Sequence, residues 1–230
     1  MRLITLALVS SLLATQPLTG AAATKIALEE ARSPVIVHLA THGLYLSARI
    51  PRPPGNYYKT LHAISVPGEG TFVAKAEHGP RDQDIPDPLL RSAVALAGYN
   101  AWLNGAAGAA GTGNGVLTAD EVCSLDLQGT RLVTLSACDT GLGDQRQSEG
   151  LVGLRWAFGV AGAMTVVSSL WKVADKPTQE LMTEFYRRLL DGTTVPEALR
   201  AAQLALRDRY ADPFLWGAFV CHGDPRVTLR

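Results

Sequence analysis

Apolar residues recur along this chain in two rhythms. Three short runs are nearly continuous and rich in β-branched residues, "VIVHLATHG" from Val35, "TRLVTLSAC" from Thr130 and "GAMTVVSSLW" from Gly162, and each reads as a strand buried on both faces. Elsewhere the apolar positions return every three or four residues. "EGLVGLRWAFGVAG" carries Leu151, Leu154 and Phe158 at helical spacing between the second and third runs, as a crossover helix between parallel strands requires. After the third run, Asp175 is expected to cap a helix that turns Leu181, Met182, Phe185, Tyr186 and Leu189 to one side. Thr194 with Glu197 is expected to cap another, with Leu199, Ala202 and Leu206 inward. "FLWGAFVCHGD" supplies a last short strand. Alternation of this kind predicts an α/β, three-layer sandwich, a mostly parallel sheet covered by helices on both faces.

The first part of the chain is less regular. "MRLITLALVSSLLATQPLTGAAA" reads as a helix burying Leu6, Val9 and Leu13, with Pro17 and Gly20 turning the chain after it. The alternative is a secretory signal peptide over residues 1–23, for which the basic region is only Arg2. Thr24 caps a short helix through Ala31 that Pro34 stops. Polar, proline-rich sequence over residues 47–87 reads as a long inserted loop, hairpin or flap. "PLLRSAVALAGYN" is compact and apolar. The glycine-rich stretch from Gly105 to Gly115 lacks the Lys-Ser/Thr ending of a phosphate-binding loop and reads as a surface loop, while Thr118 and Glu121 form a capping box.

Composition narrows the classes of function. With 230 residues and 47% hydrophobic content the chain can bury a core of its own, as a single domain. Twenty-one basic residues balance 21 acidic ones, so no net charge draws the protein to nucleic acid or an anionic membrane. Three cysteines, at 123, 138 and 221, make no Cys-x-x-Cys pair. Neither a disulfide framework nor a zinc knuckle is indicated, and a reducing, cytoplasmic setting fits.

Candidate chemistry gathers where apolar runs end, because ligands of open α/β sheets bind outside the carboxyl ends of the strands. His42 ends "VIVHLATHG" and Cys138 ends "TRLVTLSAC". An imidazole near a thiol takes its proton or stabilises the thiolate. The backbone N–H groups of Gly43 and Cys138 are candidate donors to an oxyanion. Each residue has a plainer reading, since a free cysteine is commonly a small buried hydrophobe and a strand-end histidine is commonly structural. His38 and His42 have the i, i+4 spacing of a zinc pair on a helix, but on a strand they would lie roughly 13 Å apart, too far to share one ion. No metal is expected, and His38 becomes a residue of the core or of the site's surroundings. His62, His78 and His222 have no partner visible in the sequence.

Together, "HLATHG", "PLLRSAVALAG", "GVLTADEVCSLDLQGTRLVTLSACDTGLG", "EGLVGLRWAFGVAGAMTVVSSLWKVAD" and "EALRAAQLALR" with "PFLWGAFVCHGD" resemble the CHAT domain. This is a family of caspase-like cysteine peptidases, in bacteria often joined to tetratricopeptide repeats. The resemblance implies a caspase-hemoglobinase fold, cofactor-free endopeptidase chemistry by a His42–Cys138 dyad, and a substrate pocket near "SSLWKVAD". Ser169, Trp171 and Asp175 are candidates for that pocket, with Asp139 a further acidic candidate. Three departures from the family stand out. The chain looks amino-terminally short, so that a missing first strand would leave a sheet edge open; the excursion between Tyr45 and Pro88 is long; and Ser148-Glu149-Gly150 stands where Gly-Glu-Gly is common. A regulatory partner, such as a repeat protein, would come from another chain. The competing reading is a non-proteolytic interaction module that keeps the fold and the dyad but not the activity; an α/β domain binding a small molecule at the same sheet edge is a more distant third.

Overall fold

A computed structural model describes residues 5–11, 14–45, 65–66, 70–71, 88–103, 114–136, 138–139, 147–171 and 173–229. Its centre is three parallel strands: β3 (Ile36–Ala40), β9 (Leu132–Leu135) and β11 (Thr165–Ser169), with β9 in the middle. Antiparallel strands extend this centre on both sides. β12 (Phe219–Gly223) pairs with β11; β1 (Thr5–Ser11) pairs with β3, and β2 (Ala14–Thr19) with β1. The resulting order is β12-β11-β9-β3-β1-β2.

The amino-terminal hairpin corrects the helix expected at the start of the chain. Leu6 and Val9 lie on a strand and not on a helix, and Leu13 falls outside the described residues. Leu6 to Val9 form a short continuous apolar run, which periodicity alone does not divide between helix and strand, and such runs are decided by the tertiary partner they find. Here that partner is the side of β3, paired from Thr5 opposite Ala40 to Val9 opposite Ile36. The edge of β3 is thereby covered. Pro17 lies on β2 at the sheet's border, a place where its missing N–H costs no ladder bond.

Successive residues of the central strands face two different layers. Val37, Leu39, Val133, Leu135 and Val166 join a core with Leu28 of α1 (Lys25–Glu29), Val122 of α4 (Ala119–Cys123), and Leu154, Ala157 and Phe158 of α5 (Gln147–Val160). Ile36, Leu132 and Val167 join a second core with Leu181, Met182, Phe185 and Leu189 of α6 (Asp175–Leu190) and Leu199, Ala202 and Leu206 of α7 (Val195–Arg207). Helices therefore cover both faces, and the molecule is the expected three-layer α/β sandwich. Fully burying each of these large aliphatic or aromatic side chains contributes roughly 1.5–3 kcal/mol.

Local signals in the sequence set the helix ends. Thr24 accepts from the Ala27 N–H at 3.1 Å, and Thr118 and Glu121 close a reciprocal capping box. Gly162 (φ +110°) and Gly192 (φ +90°) terminate α5 and α6 in the left-handed region. In each, the next residue's N–H returns to the carbonyl five positions back, Ala163 to Phe158 and Thr193 to Arg188. Asp175 is the first residue of α6, not its cap; the cap position belongs to Ala174, which has no side-chain acceptor. Thr194 does cap α7, though its hydroxyl bonds the Glu197 carboxylate and not a backbone N–H.

A second, four-stranded sheet grows from the carboxyl ends of the first. The strand expected over Val35–Gly43 breaks at Thr41, whose hydroxyl donates to the Ala95 carbonyl, and resumes as β4 (His42–Tyr45). Likewise β9 is followed by β10 (Cys138–Asp139). With β7 (Ser92–Ala95), which lies between the short helices α2 (Pro88–Arg91) and α3 (Tyr99–Leu103), and with β8 (Val116–Thr118), the order is β10-β4-β7-β8. Of the 47–87 insertion, two short paired strands, β5 (Ser65–Val66) and β6 (Gly70–Thr71), are described; the remainder, and most of the glycine-rich stretch, lie outside the described residues.

Candidate active site

The two candidate residues arrive on adjacent parallel strands. Cys138 of β10 lies opposite His42 of β4, and Asp139 lies opposite Gly43. Neighbouring strands run about 4.8 Å apart, so nearly a hundred positions of sequence separation close to one ladder rung. The register is inherited from the main sheet: Ile36 faces Leu132, His38 faces Thr134 and Leu39 faces Leu135, each 96 positions on, and 138 − 42 is also 96. Pairing keeps its offset across the bend. β4 runs between β10 and β7, which fixes Gly43 opposite both Asp139 and Val94. His42 is partly buried, and its Nδ1 atom is enclosed by protein.

Beneath this rung, on the α6 side, lies a polar cluster inside an otherwise apolar layer. His38 Nε2 is 3.0 Å from the Ser136 hydroxyl, and His38 Nδ1 is 3.0 Å from the Tyr186 hydroxyl. Tyr186 donates in turn to Thr134 Oγ1 at 2.8 Å. With the tyrosine proton given to Thr134, its oxygen accepts from His38 Nδ1–H, which leaves Nε2 to accept from Ser136. A neutral imidazole satisfies this chain of bonds, and burial holds His38 in that form by pushing its pKa down to about 4. The Tyr186 ring stacks on His38 at a centroid distance of 5.6 Å, and burial raises its phenol well above the ordinary range. With both ring nitrogens occupied, His38 is a member of the protein's own hydrogen-bond network and no metal ligand. Among the described residues, no group of three or more His, Cys, Asp or Glu side chains is arranged to hold a metal ion.

The remaining candidates are spread along the carboxyl end of β11. Ser169 is its last residue, 1% exposed and opposite Phe219. Trp171 is half-buried, donates from Nε1 to the Phe214 carbonyl at 3.0 Å and stacks on the Phe214 ring. Asp175 is exposed at the start of α6. His222 is exposed on β12, while His62 and His78 lie outside the described residues. The other two cysteines sit in unlike surroundings. Cys123 ends α4 against the apolar core, and Cys221 lies on β12, where burial pushes its thiol up to about 11. At that value it carries almost no thiolate at neutral pH.

Comparison with known proteins turns this arrangement into a family assignment. The model of the CHAT domain matches residues 5–224. The chain belongs to the CHAT family. This CHAT chain is also similar to tetratricopeptide repeat protein 28 of Homo sapiens, 27% identical over 226 residues, and of Mus musculus, 29% identical over 224 residues. Each match takes in 94% of the chain but only 8% of the relative, so the chain spans less than a tenth of the length of these relatives. Both are mammalian, so the similarity is not confined to bacterial proteins. No helix among the described residues is long and apolar enough to cross a membrane.

Thr134 and Ser136 are not among the residues that the sequence marks as candidates, and Tyr186 reads there only as an inward-facing helix residue. A signal was present. In "LVTLS" the polar residues Thr134 and Ser136 alternate with apolar ones in a strand that must be buried on both faces, and alternate polar positions on such a strand call for partners on a single face.

Proposed function

We propose that this CHAT chain is a cysteine endopeptidase with Cys138 as nucleophile and His42 as its base. The observation that carries the reading is the shared rung: a cysteine and a histidine opposed in register at the carboxyl end of a parallel sheet. The thiol proton passes to the His42 imidazole as sulfur attacks the scissile carbonyl carbon. The N–H groups of Gly43 and Cys138 hold the negative oxygen. His42 then hands the proton to the departing amine, leaving a thioester. Water, deprotonated by the same imidazole, hydrolyses it to release the acid and restore the thiol.

Asp139, Ser169, Trp171 and Asp175 contribute to the recognition of a polypeptide segment around the cut, and the chain acts as one catalytic domain carrying the 47–87 insertion. No cofactor enters these steps. The three cysteines make no Cys-x-x-Cys pair and suggest no disulfide framework, and on that ground we assign the protein to a reducing compartment, the cytoplasm. The two relatives carry the name of a repeat protein, which supports a tetratricopeptide-repeat partner as the regulator.

The test is a peptide library with wild type and Cys138→Ala, together with an electrophilic thiol probe. The reading expects turnover and His42-dependent labelling of Cys138 in the wild type and neither in the variant. Absence of turnover and of labelling in the folded wild type would favour a non-proteolytic interaction module.

A further inference from the structure

We propose that Tyr186, with His38, Thr134 and Ser136, is a register lock that positions His42 opposite Cys138. The inference rests on the dyad reading and says how the dyad is held. His38 and Thr134 are themselves partners on the β3–β9 ladder, four residues before His42 and four before Cys138. Tyr186 reaches in from α6 and bonds both members of that pair, at 3.0 Å and 2.8 Å. Ser136, directly after β9, adds a contact from the next same-face position, its hydroxyl 3.0 Å from His38 Nε2, while its N–H bonds the Leu39 carbonyl at 3.0 Å. The cluster thus occupies the last paired segment before the sheet bends. Beyond it, β4 and β10 resume with the same 96-position offset.

Apolar packing alone does not fix that offset. A slip of one residue would turn every apolar side chain to the wrong layer, but a slip of two keeps each on its own face. Such a slip moves His42 two positions away from Cys138 while leaving Val, Leu and Ile in apolar surroundings. The polar cluster opposes it: shifted by two one way, Leu132 takes the place of Thr134 beside Tyr186, and shifted the other way Ser136 takes that place and gives up its own contact with His38 Nε2, so part-buried hydroxyl and imidazole groups lose bonds that the native register supplies. Buried polar groups that specify register at some cost in stability are known from other folds. α6 is thereby coupled to the dyad, although no residue of α6 belongs to the rung.

The test uses the full chain and Tyr186→Phe, which keeps the ring and removes the hydroxyl, with Thr134→Val as a second variant that removes the other end of the same bond. The rate at which iodoacetamide alkylates Cys138 is followed against pH, resolved from Cys123 and Cys221 by mass spectrometry, in wild-type and His42→Ala backgrounds. The lock predicts that Tyr186→Phe slows alkylation about tenfold at neutral pH, moves the pH profile toward that of His42→Ala, and has no further effect when His42 is already alanine. Thr134→Val is expected to act in the same direction. On peptide substrate, kcat falls while KM holds. Wild-type reactivity in a folded Tyr186→Phe or Thr134→Val variant would overturn the proposal, as would an equal loss in the His42→Ala background. If wild type turns over no peptide yet the His42-dependent effect appears, the lock stands and the peptidase reading falls. Peptide turnover unchanged by Tyr186→Phe has the opposite meaning.

Discussion

The two faces of the central strands differ in kind. Toward α5, the side chains of β3 and β9 are aliphatic along their whole length: Val37, Leu39, Val133 and Leu135, all fully buried. Toward α6, the same strands begin with Ile36 and Leu132 and then change to His38 and Thr134, with Ser136 directly after β9, on the approach to the rung that bears His42 and Cys138. The first face supplies burial, which is strong and indifferent to small displacements along the strand. The second gives up some burial for bonds that exist in one register only. Stability and positioning are thus carried by opposite sides of the same few residues.

Substitutions on the two faces should separate these roles. The largest effect belongs to the rung itself: Cys138→Ala is expected to reduce peptide cleavage about 10³-fold or more, read as single-turnover cleavage, with the melting temperature little changed. Next come the apolar positions. Leu135→Ala on the α5 side and Phe185→Ala on the α6 side should each cost about 2–5 kcal/mol in urea unfolding, the transfer loss plus the cavity. Thr134→Val opens no large cavity but takes the acceptor from the Tyr186 hydroxyl, so in the same experiment it should cost about 1–3 kcal/mol, no more than Leu135→Ala, whereas its effect on Cys138 reactivity should be the greater of the two. If the aliphatic and polar positions behave alike in both assays, the contrast between the faces is wrong.

Acid should act on the polar face. The folded-state pKa of His38, about 4, lies below the unfolded value of 6.5 because burial penalises the charged ring. The unfolded chain therefore binds the extra proton first, so His38's contribution is complete above pH 6.5 and is lost as pH falls from there to about 4, by at most ~3 kcal/mol. Urea unfolding across that window should show the slope in wild type and a flatter one in His38→Asn. The smallest effect is expected on the outer side of α6. Arg187 and Arg188 hold the Glu184 carboxyl down to about 2, but this is a surface cluster, and Glu184→Gln should cost less than about 1 kcal/mol near neutral pH. Any wild-type advantage there should disappear as pH drops below the ordinary carboxylate range toward 2.

How far the sequence reveals all this depends on where each signal is local. The three buried strands, the α5 crossover and the apolar stripes of α6 and α7 are legible because a run of Val and Leu, or a return every three or four residues, carries its own geometry. So are Thr118 with Glu121, since a capping box is completed within four residues. The amino-terminal hairpin is not legible in this way, because the short apolar run Leu6–Val9 suits a helix or a strand and only the side of β3 decides between them. β8 went unnoticed because "VLT" is three residues long and takes its form from β7. In the site, His42 and Cys138 could be named from their places at the ends of apolar runs, and their common rung follows from strand pairing. Tyr186 could not be read as part of it: its role depends on which of five inward residues of α6 happens to stand over His38, a matter of helix position on the sheet.

The most direct measurement of the central claim is the pH dependence of Cys138 alkylation in wild type and His42→Ala. The account predicts that Cys138 reacts at neutral pH far faster than Cys221, and that replacing His42 returns its profile to that of an ordinary thiol near 8.5. A Cys138 profile unaltered by the loss of His42 would contradict it.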